Sequence, residues 1–530
     1  MDDVRRYRVL AAVCLAGLIL PLEYTGPAMA LPAIQAELGG SPLALSWVIN
    51  AFALSFGSAV MAGGALADQY GRRRMFITGI AGFTVFSVIV SLSGNVVFLD
   101  LVRGLQGVTA ALTMGGGAAA LAQEFEGQAR TRAFGLLGTA FGVGLASGPV
   151  ISGALVEWFG WRSVFFLGAV FGALALYLGL RHMKETRDPD AGKLDMSGVI
   201  TFTAFLLLLT FGIMQIGQGG ENHIIVTGLL TGAAMMLVLF VFLELRHDRP
   251  MLDLSLFRYW KFIGVQFLPI ATATCFIVLL ILLPIRLIGI EGYSEFSAGL
   301  AMIALSAPMI AVPFAAALMT RWLPSADLSC LGLLLAGIGL GWLATMPVGT
   351  SPHNMALPLL LIGTGTGLPW GLMDDLSISV VPVERAGMAT GIFTTMRACG
   401  EAICVAGALA ILGSLLYRGL EQQGGLDAGQ AGIAAASLTT GNLDGAMSVL
   451  GHMPQGNIGA IYSDAFSMLV YILMVITLAA ALICFLALKS SRAPMVPMKP
   501  VESEFMTEAG HVLEIGDGKY GKKEPDWTML

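Results

Sequence analysis

Charged residues are scarce in this sequence. They make up 12% of its 530 residues, whereas hydrophobic residues make up 56%, and an ordinary soluble protein carries roughly 25% charged residues. This scarcity excludes a soluble fold and indicates an integral membrane protein. The net charge of -6 is not accompanied by any basic cluster of the kind that binds nucleic acid, so we expect no nucleic-acid partner.

Residues that commonly carry catalysis or bind metals are also few. The six cysteines lie in apolar runs without metal-ligand spacing, and we interpret them as small hydrophobic residues. The six histidines lie in predicted loops or in the C-terminal tail, so any proton relay inside the membrane must use carboxylates. No Ser/His pairing lies in an apolar run. We therefore expect no metal, no cofactor and no enzymatic activity.

Two local patterns resemble signals that we set aside. Three arginines within the first eight residues precede an apolar run and "AMA" at 28–30, as in a secretory signal, but Glu23 interrupts that run and we expect no cleavage. The tail sequence "GDGKYGKK" at 516–523 has the spacing of a phosphate loop. Lys523 replaces its magnesium-binding hydroxyl residue, and no strand precedes it.

Long apolar runs occupy most of the chain. A membrane helix needs about 20 apolar residues, and these runs are too long and too uniformly apolar for the strands of a closed barrel. The predicted fold class is an all-α integral membrane protein. Its fourteen transmembrane helices are expected at 9–30, 46–67, 75–94, 97–121, 133–156, 163–181, 197–218, 224–245, 262–290, 297–320, 327–346, 355–381, 386–416 and 465–489.

The distribution of basic residues predicts the orientation of these helices. An even number of helices places both termini on one side, and cytoplasmic loops are enriched in Lys and Arg. With the termini inside, all Lys and Arg residues fall in cytoplasmic segments except Arg103, Arg162, Arg286, Arg397 and Arg418. We therefore predict cytoplasmic termini. Arg286, near the outer end of the ninth helix, is interpreted as snorkelling to the membrane surface.

The turn after the second helix has a distinctive sequence, "GALADQYGRRR" at 64–74. A membrane anchor would also be basic, but this stretch resembles the signature loop of the major facilitator superfamily, G-x-L-A-D-r-x-G-r-r-r, with Gln69 replacing the usual basic residue. We expect the loop to hold two helical bundles together at the cytoplasmic face in one conformational state. The candidate residues for this role are Gly64, Asp68, Gly71, Arg72 and Arg73.

Two further stretches resemble motifs of the same superfamily. "RGLQGVTAA" at 103–111 is similar to the fourth-helix motif R-x-x-Q-G, through Arg103 and Gln106. "GLASGPVISG" at 144–153 resembles the fifth-helix antiporter motif G-x-x-x-G-P-x-x-G-G, with Ser152 replacing one glycine. Its matching residues are Gly144, Gly148, Pro149 and Gly153.

The first helix carries a fourth motif. "LEYTGPAMALPAI" at 22–34 resembles the first-helix motif of the fourteen-helix drug:proton antiporter branch, L-D-x-T-x-V-N-x-A-L-P-x-I. Glu23 replaces the Asp of that motif, Gly26 and Pro27 replace an apolar pair, and Ala28 replaces Asn. Together the four motifs give a resemblance that extends from residue 9 to about residue 490.

The resemblance implies the major facilitator fold, in which two six-helix bundles enclose a substrate site near the membrane midplane. The expected domains are an N-terminal bundle (1–181), two inserted transmembrane helices with cytoplasmic linkers (182–260), a C-terminal bundle (261–489) and a cytoplasmic tail (490–530). The C-terminal bundle includes the Gly-rich stretch 418–463, which has no Lys or Arg after Arg418. We expect this stretch to face outward and leave any short helices in it unplaced.

Ionisable side chains inside a membrane are costly, and they mark functional sites. Glu23 lies about fourteen residues into the predicted first helix, some 21 Å of rise, in the outer half of the membrane. We expect it to couple protons to substrate movement, and a structural acid hydrogen-bonded to Thr25 or to a neighbouring helix is the alternative. The candidates for proton coupling or substrate binding are Glu23, Arg103, Asp374, Asp375, Arg397 and Glu401.

Each of the other candidates has a second interpretation. Arg397 lies four residues before Glu401, so the two either neutralise one another or contact substrate. Asp374 and Asp375 follow the Gly/Pro-interrupted run "GTGTGLPWG", and adjacent helical residues project about 100° apart, so one should face the cavity more squarely. Both could instead lie in water at the cytoplasmic end. Arg103 either tunes a neighbouring acid or forms a structural pair.

These observations predict a proton-coupled antiporter that exports amphiphilic organic compounds by alternating access. The family resemblance implies multidrug efflux and antibiotic resistance. A dedicated exporter of a siderophore or other metabolite is the alternative, and a lipid flippase or a non-transporting receptor is the alternative of another class. Expected partners are a small amphiphilic substrate, protons and the lipid bilayer of a bacterial inner membrane. We expect a monomer and leave complexes with periplasmic or outer-membrane partners open.

Overall fold

The computed structural model describes residues 2–188, 195–216, 223–247, 252–382, 385–422, 426–451 and 453–489. Fourteen helices in these ranges are long and apolar enough to cross a membrane, which confirms the predicted number, and the ranges contain no β-strand. The predicted tail, 490–530, lies outside the described residues. The protein is therefore an all-α, multi-pass integral membrane protein.

In the described residues, fourteen membrane helices are accompanied by two short α-helices and by a 3-10 helix at Leu254–Arg258. In chain order the membrane helices and the short α-helices are α1 (Asp2–Leu38), α2 (Pro42–Tyr70), α3 (Arg72–Ser91), α4 (Val96–Glu124), α5 (Gly127–Phe159), α6 (Arg162–His182), α7 (Met196–Ile216), α8 (His223–Glu244), α9 (Trp260–Ile290), α10 (Glu295–Met319), α11 (Ser325–Ala344), α12 (Pro352–Ser379), α13 (Ala386–Gln422), the short α14 (Ala428–Thr439) and α15 (Leu443–Leu450), and α16 (Gln455–Lys489).

Helices α1 to α6 form the first bundle. α2 packs on α4, α1 on α5 and α6, and α3 on α4 and α6. Glycines bring the helices close: Gly63 of α2 lies against the backbone of Ala111, and Gly79 of α3 lies against the backbone of Thr113. Because these positions have no side chain, the backbones approach as they do in other membrane helix pairs.

Helices α9 to α13 and α16 form the second bundle. α12 packs on α10 and α11, and α13 packs on α9. α16 completes the bundle through the hydroxyls of Thr274 and Thr477, which are 3.1 Å apart, and through Leu478, which lies against Gly337 of α11. Two six-helix bundles are therefore present, as the fold class predicts.

The remaining pair, α7 and α8, lies beside the bundles. α7 packs on α2 and α13, and the ring of Phe211 lies 6.0 Å from that of Trp47. α8 packs mainly on α7. Only 11% of an apolar 18-residue stretch of α8 is buried inside the protein. Most of the surface of α8 therefore faces lipid.

The connection expected at 418–463 is shorter than predicted and contains two short helices. α13 continues to Gln422 and α16 begins at Gln455, and α14 and α15 lie between them. α14 begins with a capping box between Asp427 and Gln430 and packs on α13 and α2. Gly441 has a positive φ of 80°, and its backbone lies against Gly289 of α9. The hairpin of α14 and α15 thus covers one end of the membrane helices.

The two faces of the protein can be distinguished by their contacts. The Arg5 guanidinium, near the start of α1, donates to the carboxylate of Glu124 at the end of α4 (2.7 Å) and to the carbonyl oxygen of His182 at the end of α6 (3.1 Å). We call this side the N-terminal face. The side that carries the α14–α15 hairpin is the opposite face.

Candidate functional site

A cavity of about 560 Å³ lies between the two bundles. Its wall comes from the ends of α4, α10 and α12 and from the beginnings of α5 and α13, and these segments lie in the half nearest the N-terminal face. The Asp374 side chain in this wall is 60% exposed, so the cavity is open to solvent on that face. Its aromatic and charged lining residues are Phe56, Phe134, Phe141, Phe314, Trp370, Asp374, Arg397 and Glu401.

Toward the middle of the protein the cavity narrows to a deep pocket of about 50 Å³. The pocket shares Phe56, Phe141, Trp370 and Glu401 of α13 with the main cavity, whereas Tyr24 of α1 lines only the pocket. Both bundles therefore contribute to it. We refer to this part of the site as the deep pocket.

On the opposite face the bundles touch through backbone. In the motif 144–153, Gly153 of α5 lies against the carbonyl group of Glu295, and Gly299 of α10 lies against the carbonyl oxygen of Pro149. The Ser306 hydroxyl of α10 donates to the carbonyl oxygen of Ala146 (2.8 Å). The small residues of the motif therefore permit a close α5–α10 contact that closes this face.

The same motif also joins α5 to α1. Gly144 lies against the backbone of Leu18, and Gly148 lies against the Thr25 hydroxyl. A side chain at either glycine would push α5 away from α1. One short motif therefore sets the packing of α5 on its own bundle and on the other.

A carboxylate strengthens the closure at the end of α5. Glu157 accepts a hydrogen bond from the backbone N–H of Phe296 in the first turn of α10 (2.9 Å), an arrangement that resembles a helix N-cap. The Trp158 ring lies 5.4 Å from that of Phe296. The structure is thus closed at the opposite face and open at the N-terminal face.

Glu23 lies inside the first bundle and contacts Arg103 of α4. The Arg103 guanidinium donates to the Glu23 carboxylate (3.4 Å) and to the backbone carbonyl oxygens of Glu23 and Val48 (both 3.1 Å). Both charged side chains are fully buried. The second carboxylate oxygen of Glu23 has no hydrogen-bond partner among the residues that the structure describes.

Other groups complete this charged network. Arg103 donates to the side-chain oxygen of Gln106 (2.8 Å), whose amide donates to the Ser87 hydroxyl (2.8 Å). The Phe52 ring lies 4.5 Å from the guanidinium carbon, within the range of a cation–π contact. Buried ion pairs are held by such additional hydrogen bonds. The predicted residues Arg103 and Gln106 therefore belong to the same hydrogen-bonded network as Glu23.

The first helix is longer than predicted. α1 begins at Asp2, seven residues before the predicted start, so Glu23 lies near the middle of the helix, and its position in the outer half of the membrane stays a prediction. The helix continues through Pro27, and the Thr25 hydroxyl donates to the carbonyl oxygen of Pro21 (3.2 Å). Glu23 is not part of the cavity wall, whereas its neighbour Tyr24 is. Adjacent residues of α1 thus face the charged network and the deep pocket.

The charged residues of the second bundle interact beyond the expected i,i+4 arrangement. Arg397 donates to the carboxylate of Asp374 (3.4 Å) and also interacts electrostatically with Glu401, so both interpretations of the Arg397–Glu401 spacing stay open. Glu401 lies on the wall of the deep pocket. Asp374 also lines the main cavity. Asp375 is exposed but is not among the lining residues. This difference agrees with the expectation that the two adjacent aspartates project in different directions from the helix.

The signature loop lies on the N-terminal face against the segment that follows α6. Asp68 accepts from the guanidinium of Arg72 (2.9 Å), and the backbone N–H of Arg72 donates to the carbonyl oxygen of Thr186 (2.8 Å). Gly71 has a φ of 112°, and the Glu185 carboxylate lies where a side chain would be. In this open conformation the loop contacts its own bundle. Its hold on the second bundle in another conformational state stays a prediction.

The interpretation of Arg286 as a snorkelling residue is wrong. Its guanidinium is buried, donates to the carboxylate of Glu291 (2.7 Å) and to the carbonyl oxygen of Pro347 (2.9 Å), and lies 4.8 Å from the Phe466 ring. A π-helical end of α9, 285–290, turns the side chain inward. Arg286 therefore ties α9 to the loop before α12.

Three residues of the site were not recognised in the sequence. Tyr24 and Glu157 look like ordinary interfacial residues because the contacts that distinguish them come from the other bundle. Asp100 lies one helical turn before Arg103, close enough to interact with it electrostatically. That i,i+3 spacing predicts that Asp100 and Arg103 interact. The interaction was overlooked because the predicted fourth helix began only three residues before Asp100, which placed Asp100 near the end of the helix.

Two helical bundles around a cavity that is open on one face and closed on the other define a membrane transporter. The family comparison agrees with that class. The chain belongs to the Major Facilitator Superfamily, whose family model matches residues 13–405. The family and fold predicted from the four motifs are thereby confirmed for the superfamily.

Individual relatives are also similar. The chain is 32% identical over 395 residues to the multidrug resistance protein Stp of Mycobacterium tuberculosis (strain CDC 1551 / Oshkosh), covering 73% of this chain and 72% of the relative. It is 29% identical to the tetracenomycin C resistance and export protein of Streptomyces glaucescens, covering 78% and 76%. Among solved structures, an inward-facing bacterial homolog of the human lysosomal transporter Spinster aligns with a TM-score of 0.64 at 17% identity, covering 93% and 99%.

Proposed function

We propose that the protein is a proton-coupled antiporter that exports amphiphilic organic compounds by alternating access. The observation that carries the proposal is the Glu23–Arg103 pair. It is fully buried inside the membrane, on a helix whose next residue lines the cavity. Ionisable groups are rarely kept in such a place without a functional reason.

A proton on Glu23 would change the packing of α1. The unprotonated carboxylate attracts Arg103, and a protonated one is neutral and attracts it less. α1 contacts α5 and α6 in its own bundle and α9 in the other, so a shift of α1 reaches both sides of the cavity. Proton binding and release at Glu23 can therefore favour different conformations of the two bundles.

The cavity supports a substrate with both apolar and charged parts. Aromatic rings form much of its wall, and Asp374, Arg397 and Glu401 supply the charges. The names of the relatives, a multidrug resistance protein and a tetracenomycin C resistance and export protein, support organic compounds as the exported class. A puromycin resistance protein of Streptomyces alboniger, 32% identical over 414 residues, supports the same class.

We assign the N-terminal face to the cytoplasm of a bacterial inner membrane, because basic residues are concentrated there. The domain boundaries expected from the sequence and a monomeric state are part of the same proposal. The membrane potential would contribute about 2.3 kcal/mol per 100 mV for each charge that crosses. An open N-terminal face is then the state that receives substrate from the cytoplasm.

Inverted membrane vesicles test this function. Ethidium is a suitable substrate because it is permanently charged and does not accumulate in acidic compartments as weak bases do. We expect vesicles containing the protein to accumulate ethidium when their interior is acidified, and an uncoupler to abolish the accumulation. Vesicles without the protein are the control.

Other outcomes identify the alternatives. Ethidium uptake that does not depend on the proton gradient would contradict proton coupling. Movement of a fluorescent phospholipid without movement of ethidium would indicate a flippase, and no movement of any compound in a panel of organic cations and metabolites would indicate a receptor. Export of one metabolite alone would indicate a dedicated exporter.

A further inference from the structure

Tyr24 is a buried polar residue that the proposed proton coupling does not use. It is 8% exposed, and its hydroxyl has no hydrogen-bond partner within the described ranges. Most buried hydroxyls are hydrogen-bonded, because an unsatisfied one loses its interactions with water without compensation. An unsatisfied hydroxyl on a residue that lines a pocket therefore points to a partner that binds there.

Glu401 lies on the same wall as Tyr24. Both residues line the deep pocket, and the carboxylate is close enough to interact electrostatically with the phenol. Arg397, one turn earlier on α13, donates to Asp374 at the wider part of the cavity. The deep pocket thus has a carboxylate acceptor and a hydroxyl, one from each bundle, whereas the basic group lies outside it.

The rest of the deep pocket is apolar and flat-sided. Phe141 and Trp370 belong to both the deep pocket and the main cavity, and aromatic rings favour stacked or edge-on contacts with other rings. At about 50 Å³ the deep pocket takes a single substituent, and the cavity of about 560 Å³ takes the remainder of the molecule. The geometry therefore orients a ligand with its small polar end inward.

We propose that the Tyr24 hydroxyl and the Glu401 carboxylate form a two-point polar subsite for a hydrogen-bond donor, an amine or a hydroxyl, at one end of a flat aromatic substrate. Tyr24 is then a specificity-determining residue. It distinguishes compounds that carry a terminal donor from otherwise similar compounds that lack one. This inference rests on the proposed function and specifies its substrate class.

Two acridine dyes provide a matched pair of ligands. Proflavine and acridine orange are flat cations of the same ring system, and the terminal amines carry N–H groups in proflavine but are fully methylated in acridine orange. Binding of each dye to the purified full-length protein can be measured by fluorescence polarisation. We expect the parent protein to bind proflavine more tightly than acridine orange.

Variants then locate the preference. Tyr24→Phe removes one hydroxyl and should weaken proflavine binding about fivefold to tenfold, as the loss of one hydrogen bond predicts. It should change acridine orange binding less than twofold. Glu401→Gln should reduce the affinity for proflavine more than that for acridine orange. Tyr177→Phe is the control, because Tyr177 is 55% exposed on the outer surface of the first bundle, and it should alter neither affinity.

Contrary results separate this inference from the proposed function. If Tyr24→Phe changes both dyes equally or changes neither, the subsite is wrong, and ethidium export by the parent would still support an antiporter. If the parent binds neither dye but exports ethidium, the substrate class is wrong. If it exports nothing in the vesicle test, the proposed function fails first. Circular dichroism and elution volume of each variant show whether it is folded.

Discussion

At the scale of single residues, Gly168 of α6 makes room for the Glu23 carboxylate. A Cβ atom at this position would overlap the unsatisfied oxygen of Glu23. The Glu23 carboxylate therefore lies between the guanidinium of Arg103 and the backbone of Gly168. A proton at that oxygen meets no competing hydrogen-bond donor among the described residues, so the site can bind and release it without rearranging a second partner.

Replacing Glu23 by Gln tests the coupling role. Glutamine keeps the size of the side chain but cannot exchange a proton, so we expect proton-driven ethidium accumulation to fall to the level of empty vesicles. Exchange of labelled for unlabelled ethidium, which needs no proton, should continue. Because Arg103 loses its counter-charge, the cost in stability should be up to about 3–5 kcal/mol, lessened by the nearby Asp100.

Glu37→Gln is the matched control for that experiment. Glu37 lies on the same helix and also pairs with an arginine, Arg162, but both side chains are substantially exposed. Exposed pairs contribute about 0–1 kcal/mol, so Glu37→Gln should retain nearly all proton-driven accumulation. If Glu23→Gln accumulates ethidium as well as Glu37→Gln does, Glu23 is not the coupling group. Asp374 would then be the next candidate for the proton-coupling group.

The two adjacent aspartates of α12 should behave unequally. Asp374 lines the cavity and accepts from Arg397, whereas Asp375 is not part of the wall. We expect Asp374→Asn to reduce the affinity for ethidium about threefold to tenfold, and Asp375→Asn to change it less than twofold. Equilibrium binding to the purified variants measures both. Similar effects of the two substitutions would indicate that neither carboxylate contacts substrate.

How far the sequence predicts such residues depends on where their partners lie. Glu23 is recognisable because an acid in an apolar run needs a reason, and Arg103 is recognisable for the same reason. Tyr24 has no such signal, because tyrosine is common in membrane helices and its unsatisfied hydroxyl is visible only in three dimensions. The Arg397–Asp374 pair was missed because the nearer residue in sequence, Glu401, offered a simpler pairing.

At the scale of helices, α5 has two packing surfaces. Gly144 and Gly148 lie against α1, and Gly153 lies against the start of α10. The motif is therefore both an internal packing motif of the first bundle and the contact that closes the opposite face. Motion between the bundles must separate the second contact while keeping the first.

Gly153→Val should prevent the opposite face from closing. Its side chain would meet the backbone of Glu295, and overpacking of this kind costs about 1–3 kcal/mol. That penalty applies only to the closed state, so the equilibrium should shift about tenfold to hundredfold toward opening. Ethidium export should fall correspondingly. Gly104→Val is the control because no atom lies within 4 Å of that position, and equal loss in both variants would contradict a role in closure.

The helices themselves were largely predictable. Their number follows from the length of the apolar runs, and the structure confirms fourteen. Their ends were less predictable: α1 and α16 extend beyond the apolar run, because polar residues continue a helix past the hydrocarbon region. The hairpin of α14 and α15 escaped detection because its Ala- and Gly-rich sequence has no strong periodicity, and its burial depends on α13 and α2.

At the scale of the whole molecule, the orientation in the membrane can be tested with cysteine labelling. Ser448→Cys on the exposed side of α15 should react with an impermeant thiol reagent added to intact cells, and Glu126→Cys on the N-terminal face should not. The six native cysteines are buried or half-buried and give little background. Labelling of Glu126→Cys alone would reverse the proposed orientation.

The contact between α5 and α10 has a consequence for speed. Backbone atoms of Gly153, Gly299 and Pro149 form part of it, and Glu157 and Trp158 contact Phe296 at the end of α5. The backbone part of such a surface separates and rejoins without a side chain having to change rotamer. The free energy of closure can then be large while the barrier to separation stays low. Separation of the α5–α10 contact therefore need not limit the rate of turnover.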